Sequence, residues 1–270
     1  MNGVRHITSR EHPLFRKLLR LQHSARKRRD ESLALLDGVH LLQACLASGH
    51  VPELLIVSES GRQHPEIDRL LIHADQALKE TDSLMLSDAL FSRISPVKTP
   101  VGILALIHIP QYTFTADSRQ CDFCILLEDI QDPGNLGSIL RSAAAAGVKA
   151  VYLSSGCADS WSPKTLRAGM GAHFSLRIHE NTDLVQVARQ FDGNVVATAL
   201  DNAGNLYRTD LQGAVMFVFG NEGGGVSRAL LDVTHQRVMI PMPGGAESLN
   251  VAAAAAICLF EKVRQESSAV

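Results

Sequence analysis

The 270-residue chain has no apolar run long enough to cross a bilayer as a helix. Its opening, MNGVRHITSREHP, lacks the apolar core of a signal peptide, so a cytoplasmic protein is expected. Cysteines are few, odd in number and scattered, at Cys45, Cys121, Cys124, Cys157 and Cys258. That excludes a disulfide framework and favours reduced thiols. Cys121 and Cys124 make a single CxxC, but no second pair stands at metal-ligand spacing, and the segment reads as the start of the strand CILLED. No metal is expected. No G-x-G-x-x-G occurs, which removes the dinucleotide-binding fold. The net charge is only −2, so the chain as a whole is not a basic nucleic-acid binder.

The charge that is present is unevenly placed. Residues 1–31 hold nine basic side chains against three acidic ones, a balance of +6 that leaves −8 for the remainder. Arg16, Lys17, Arg20, Arg26, Lys27, Arg28 and Arg29 belong to this arm. A basic arm on an acidic body is the asymmetry of a polyanion binder, and equally of a solvated basic helix. Residues 13–29 have helical spacing, with Leu14, Leu18 and Leu21 on one face and Pro13 in the first turn. A small α/β domain follows to about residue 107, and a polar, irregular linker covers 108–120. From 121 to 270 short apolar strands alternate with helices, the pattern of a parallel sheet covered on both faces.

Ligands of such sheets bind at the C-terminal strand ends. Three polar loops stand there: EDIQDPGNLGS after ILL, GNEGGGVS after MFVF, and PMPGGAESLN after VMI. The second nearly spells a phosphate-binding loop, with Gly220, Gly225 and Ser227 in place. Val226 occupies the position of the lysine that would meet the phosphates. The loop therefore needs another ligand.

The segments DPGNLGSILRSAAAAG (132–147), FVFGNEGGGVS (217–227) and IPMPGGAESLNVAAAAAICLFE (240–261) resemble, in order and spacing, the three motifs of the SpoU-type RNA ribose 2′-O-methyltransferases of the SPOUT superfamily. SPKTLRAGMGAHF (162–174) is also similar. The N-terminal part more loosely resembles the small L30e-like substrate-binding domain of many members. The resemblance implies an α/β knot, S-adenosylmethionine as methyl donor, a homodimer, and a structured RNA, ribosomal more than transfer RNA, as acceptor. A non-catalytic RNA-binding protein of the same fold is the alternative. By motif position Leu200, Gly220, Asn221, Gly223, Ile240, Met242 and Leu249 would line the cofactor pocket. Arg141, Asn135, Glu222, Ser248 and Asn250 would form the catalytic set. Asn135 is expected to cap its helix and Ser248 and Asn250 to open the last one, with Glu222 holding Arg141 or Asn135. A guanidinium is too weak an acid to serve as a base once protonated, so Arg141 is expected to grip phosphate and stabilise the alkoxide. Two positions depart from the family: Ala144 and Arg228 stand where acids are common.

Overall fold

The computed structural model describes residues 5–79, 81–112 and 121–267. Of the expected linker, residues 113–120 lie outside these. By internal contacts the chain divides into two units, Met1–Gln111 with Trp161–Phe174, and Tyr112–Ser160 with Ser175–Val270.

The first unit runs β1 (Arg5–Ile7), α1 (Pro13–His23), α2 (Ala25–Glu31), β2 (Leu33–Asp37), α3 (Val39–Ala47), β3 (Leu54–Ser58), α4 (Pro65–His73), β4 (Asp82–Leu86), α5 (Asp88–Ile94) and β5 (Ile103–His108). The sheet order is β1-β4-β3-β5-β2, with β5 antiparallel to both of its neighbours. Strand alternation divides the core in two. Leu33, Leu35, Leu104 and Leu106 face α1 and α5 through Phe15, Leu18, Leu21 and Phe91. Ala34, Leu36, Ile103, Ala105 and Ile107 face the other way, onto Leu41, Leu42 and Ile67. Trp161, Leu166 and Phe174 complete that second cluster. They come from the 161–174 segment, which holds helix α7 (Pro163–Gly169).

The single helix expected over 13–29 is broken. Ser24 is extended, at φ −121° and ψ 109°, and caps α2 by accepting from the Lys27 N–H. The break is held by Arg28, which folds back and donates to the carbonyls of Leu21 and Gln22 at the end of α1. Arg28 is 4% exposed. Its guanidinium is thus a buried helix cap, and it leaves the set of phosphate-facing cations expected from the sequence. Arg20 and Arg29 are exposed, while Arg16 pairs with Glu11, Lys17 and Lys27 with Glu31, and Arg26 with Asp30.

The second unit contains β6 (Phe123–Leu127), α6 (Pro133–Ala145), β7 (Ala150–Leu153), β8 (Arg177–His179), α8 (Leu184–Gln190), β9 (Asn194–Thr198), β10 (Gly204–Asn205), β11 (Val215–Phe219), α9 (Arg228–Leu231), β12 (Gln236–Met239) and α10 (Val251–Ser267), with α7 (Pro163–Gly169) lying in the intervening segment of the first unit. Its seven strands are all parallel, in the order β10-β12-β9-β11-β6-β7-β8. β6, β7 and β11 are fully buried and apolar, as strands covered on both faces must be. α8 and α9 supply Leu184, Val187 and Leu230 to one face, and α10 packs on α6 and β11.

One expected cap is corrected, and of the two residues expected to open the last helix one is selected. The α6 cap is Asp132, whose carboxylate accepts from the N–H groups of Gly134 and Asn135, because it stands just before Pro133 at the first helical position. Asn250, not Ser248, opens α10, accepting from the N–H groups of Ala252 and Ala253. At its other end α10 is fastened by Lys262, 1% exposed, which donates to the carbonyls of Leu211 and Gly213 and to Glu266.

The two neighbouring arginines of α2 should separate in a urea melt. Arg28→Ala is expected to lose about 1–3 kcal/mol, the scale for a buried group deprived of its charged partner. Arg29→Ala, exposed, should stay within about 0.5 kcal/mol of the parent. Equal losses would contradict the cap.

Candidate functional site

Parallel strands put all their C-terminal ends on one edge of the sheet, so the loops after β6, β9, β11 and β12 meet there. The glycine loop after β11 closes upon itself. Asn221 and Gly225 exchange two backbone hydrogen bonds, of 3.0 and 2.9 Å. The Asn221 side chain accepts from the N–H groups of Gly223 and Gly224 and donates to the carbonyl of Asp129. Gly220 is required by this closure: a Cβ there would lie far inside van der Waals contact of the Gly225 and Val226 backbone. The bareness of Gly220 thus has a cause internal to the loop, beside its place on the cavity wall. At Gly223 a Cβ would meet only Asn221 Oδ1, at 3.6 Å, which leaves open space on its outer side.

Glu222 ties the glycine loop to the first motif. Its two carboxylate oxygens accept from the N–H groups of Gln131 and Asp132, each at 3.2 Å, and from Asn135 Nδ2 at 3.0 Å. Asn135 Oδ1 in turn accepts from Asn250 Nδ2 at 2.9 Å. One chain of side chains thus joins the three loops. Burial opposes the Glu222 charge, but the Asn135 amide and the backbone donors outweigh it and hold the carboxyl below the ordinary glutamate range. A group so depressed contributes stability above its unfolded pKa and loses it as pH falls through the folded value.

Beside this chain opens a cavity of about 660 Å³. Leu200, Gly220, Asn221, Gly223, Ile240, Met242 and Leu249 all line it, as do Glu222 and Ser248. Leu200 and Leu249 are 59% and 39% exposed, two large apolar side chains at one opening. Arg228 also stands on its wall, 2.9 Å from Asp232. Arg141 is not among the lining residues. It is exposed on α6, roughly 120° around the helix from Asn135 and about 9 Å along it. Glu222 accordingly engages Asn135 and not Arg141. Ala144 lies half-buried one turn beyond, in the same helix. Two residues that sequence reasoning passed over are Glu128 and Asp129, which contact the glycine loop through Ser227 and Asn221. Their only sequence signal is position, directly after a buried strand. Among the described residues no group of three or more His, Cys, Asp or Glu side chains could hold a metal ion.

A parallel sheet with a three-loop cavity at its C-terminal edge defines an α/β enzyme or ligand-binding class. Residues 122–260 match the model of the SpoU rRNA Methylase family, and residues 13–105 that of the MRM3-like substrate binding domain. The chain belongs to the SpoU rRNA methylase family. It is 32% identical to the 23S rRNA (guanosine(2553)-2′-O)-methyltransferase RlmP of Bacillus subtilis, over 88% of this chain and 91% of that protein. An uncharacterized tRNA/rRNA methyltransferase of Synechocystis is 31% identical over 99% and 97% of the two chains. The solved structure of the SpoU methyltransferase AviRb from Streptomyces viridochromogenes, in complex with the cofactor AdoMet, superposes with a TM-score of 0.84 at 27% identity, covering 96% of this chain and 99% of that one.

Glycine substitutions should separate loop closure from ligand space. Gly220→Val is expected to disorder the loop even without ligand, seen as faster amide exchange at Asn221 and Gly225. Gly223→Ala should leave that exchange unchanged in the free protein and weaken only ligand binding. Protected amides in Gly220→Val would contradict the closure.

Proposed function

We propose that the protein transfers a methyl group from S-adenosylmethionine to a ribose 2′-hydroxyl of ribosomal RNA. The observation that carries the reading is that the loops of the second and third motifs share one cavity and are joined to the first motif loop through Glu222, Asn135 and Asn250. The cavity suits the cofactor. Its volume is within the usual 300–1,000 Å³ range for small-molecule sites, its rim offers Leu200 and Leu249 as apolar cover, and the space outside Gly223 allows a close backbone approach. Leu200, Ile240, Met242 and Leu249 would hold the adenosyl part, with backbone groups of the glycine loop alongside. When bound, S-adenosylmethionine supplies an electrophilic methyl group on a positively charged sulfonium.

The residues of the chain then have to bring the hydroxyl in line and accommodate the charge that develops on its oxygen. Arg141 is the proposed anchor. Its guanidinium grips an RNA phosphate with two parallel hydrogen bonds and leaves positive charge beside the 2′-oxygen. Asn135, Glu222 and Asn250 keep the loops in register, and Ser248 meets the RNA at the cavity wall. The proposal gives residues 1–107 to RNA binding and 121–270 to methyl transfer, with the segment 108–120 between them. Arg16, Lys17, Arg20, Arg26, Lys27 and Arg29 serve the first role. The ion pairs that four of them make on the surface are worth about 0–1 kcal/mol each, so phosphates can displace the carboxylates. The knot, and a homodimer built on α10, belong to the proposal as well; Phe260 on that helix is 47% exposed, which supports an interface there. No helix among the described residues is long and apolar enough to cross a membrane, and the cytoplasm is the proposed location. A transfer RNA acceptor is the second reading, and the MRM3-like match over 13–105 favours the first.

Labelled methyl transfer onto ribosomal RNA, followed by digestion to nucleosides, tests the activity: label on the ribose supports it, and label on a base overturns it. The role of Arg141 is read in single-turnover transfer with saturating RNA. Arg141→Ala should fall ~10²-fold or more, the scale of one lost charge-stabilising donor. Arg141→Lys should be nearly as slow, with cofactor affinity unchanged in both. A normal rate for Arg141→Ala would reduce this residue to an RNA anchor.

A further inference from the structure

Residues 220–226 all line the cavity, so the span over which this loop is held sets the shape of the wall. Both ends of the span are fixed by one residue outside it. Glu128, directly after β6, donates its backbone N–H to the carbonyl of Phe219 at 2.9 Å. Its carboxylate accepts from the Ser227 N–H at 2.7 Å. Phe219 is the residue before the loop and Ser227 the residue after it. Ser227 is held in turn, since its hydroxyl accepts from the Leu230 N–H and caps α9. Glu128 is half-buried and does not line the cavity, so whatever it does for a ligand it does through the loop.

We propose that Glu128 is a positioning residue for S-adenosylmethionine, closing the glycine loop to a fixed span before the cofactor arrives; the inference rests on the function proposed above. A charged acceptor on a backbone N–H makes one of the stronger hydrogen bonds available to a protein. Without it the end of the loop is held by the Asn221–Gly225 closure, which does not reach Ser227, and by the Ser227 cap on α9, neither of which ties Ser227 back to β6. The loop then samples wider spans, and the apparent affinity falls in proportion to the fraction that remains competent. The chemical step is untouched once the cofactor has selected the closed form. Glutamine at the same position keeps an acceptor oxygen at the same reach. Aspartate keeps the charge but is one methylene too short to bridge.

The experiment compares Glu128→Ala, Glu128→Asp and Glu128→Gln in the full chain, with three readouts. Amide exchange at Ser227 in the free protein should accelerate in the alanine and aspartate variants and stay slow in the glutamine variant. Calorimetry with S-adenosylmethionine should show binding weakened about tenfold for alanine, if the competent fraction drops to about a tenth, with most of the loss recovered by glutamine. Single-turnover methyl transfer at saturating cofactor should be unchanged. If Glu128→Ala does not fold, the contrast between aspartate and glutamine carries the same test. Unchanged Ser227 exchange together with unchanged affinity in Glu128→Ala, or in Glu128→Asp if only that variant folds, overturns the clasp. So does a glutamine variant as impaired as alanine. A parent protein that binds no S-adenosylmethionine overturns the functional reading itself, and Ser227 exchange still reports whether Glu128 holds the loop.

Discussion

The Glu222 carboxylate is the point on which the site depends. It sits in the glycine loop, yet its partners are the Gln131 and Asp132 N–H groups and the Asn135 amide of another loop. Through Asn135 it reaches Asn250, the cap of the last helix. Three loops, the outer two 115 residues apart in the chain, thus share one hydrogen-bonded path. These bonds are exposed, and in water each is worth little. Covered by substrate they lie in a drier environment, where the same geometry counts for more.

The parallel sheet makes this path possible. Because every strand of the second unit runs the same way, the loops that follow them emerge on one edge. The fixed ends of those loops are buried strands, β6 and β11, which have no freedom to drift. What is left to specify is the shape of the loops themselves, and there the chain uses side-chain acceptors on backbone N–H groups: Asp132, Asn221, Glu222, Ser227 and Asn250. The cavity wall is therefore set by short polar contacts, and its lining mixes apolar side chains such as Leu200, Ile240 and Leu249 with polar ones such as Asn202 and Glu247.

Much of this was legible in the sequence. The apolar strands announce a parallel sheet, and the three Gly- and Asn-rich loops announce its working edge. All seven residues expected at the cofactor pocket line one cavity. Other features were hidden for physical reasons. The leucines of 13–29 end at Leu21 and the basic residues run on past Ser24 without a Gly or Pro to mark a break; the break is held by Arg28 reaching back to α1. Strands β1, β8 and β10 are two or three residues long, too short to display alternation. The place of Trp161, Leu166 and Phe174 in the first unit's core is a tertiary fact that local pattern does not carry. Asn135 looked like a cap because caps and ligands draw on the same residue types, and the preceding Asp132-Pro133 pair decides the matter. Gly220 shows the same lesson for glycine: part of its need is for a neighbouring backbone, which the sequence alone does not reveal.

The central claim is that three loops act as one unit through Glu222, Asn135 and Asn250. A double-mutant cycle on Glu222→Gln and Asn250→Ala, read as S-adenosylmethionine affinity by calorimetry, addresses it most directly. Among the described residues the two side chains are connected through Asn135, and independent sites would give additive losses within about 0.5 kcal/mol. The account predicts a coupling of about 1 kcal/mol or more, with the second substitution costing less once the first has been made. Strict additivity would mean that the loops are held separately, and would contradict it.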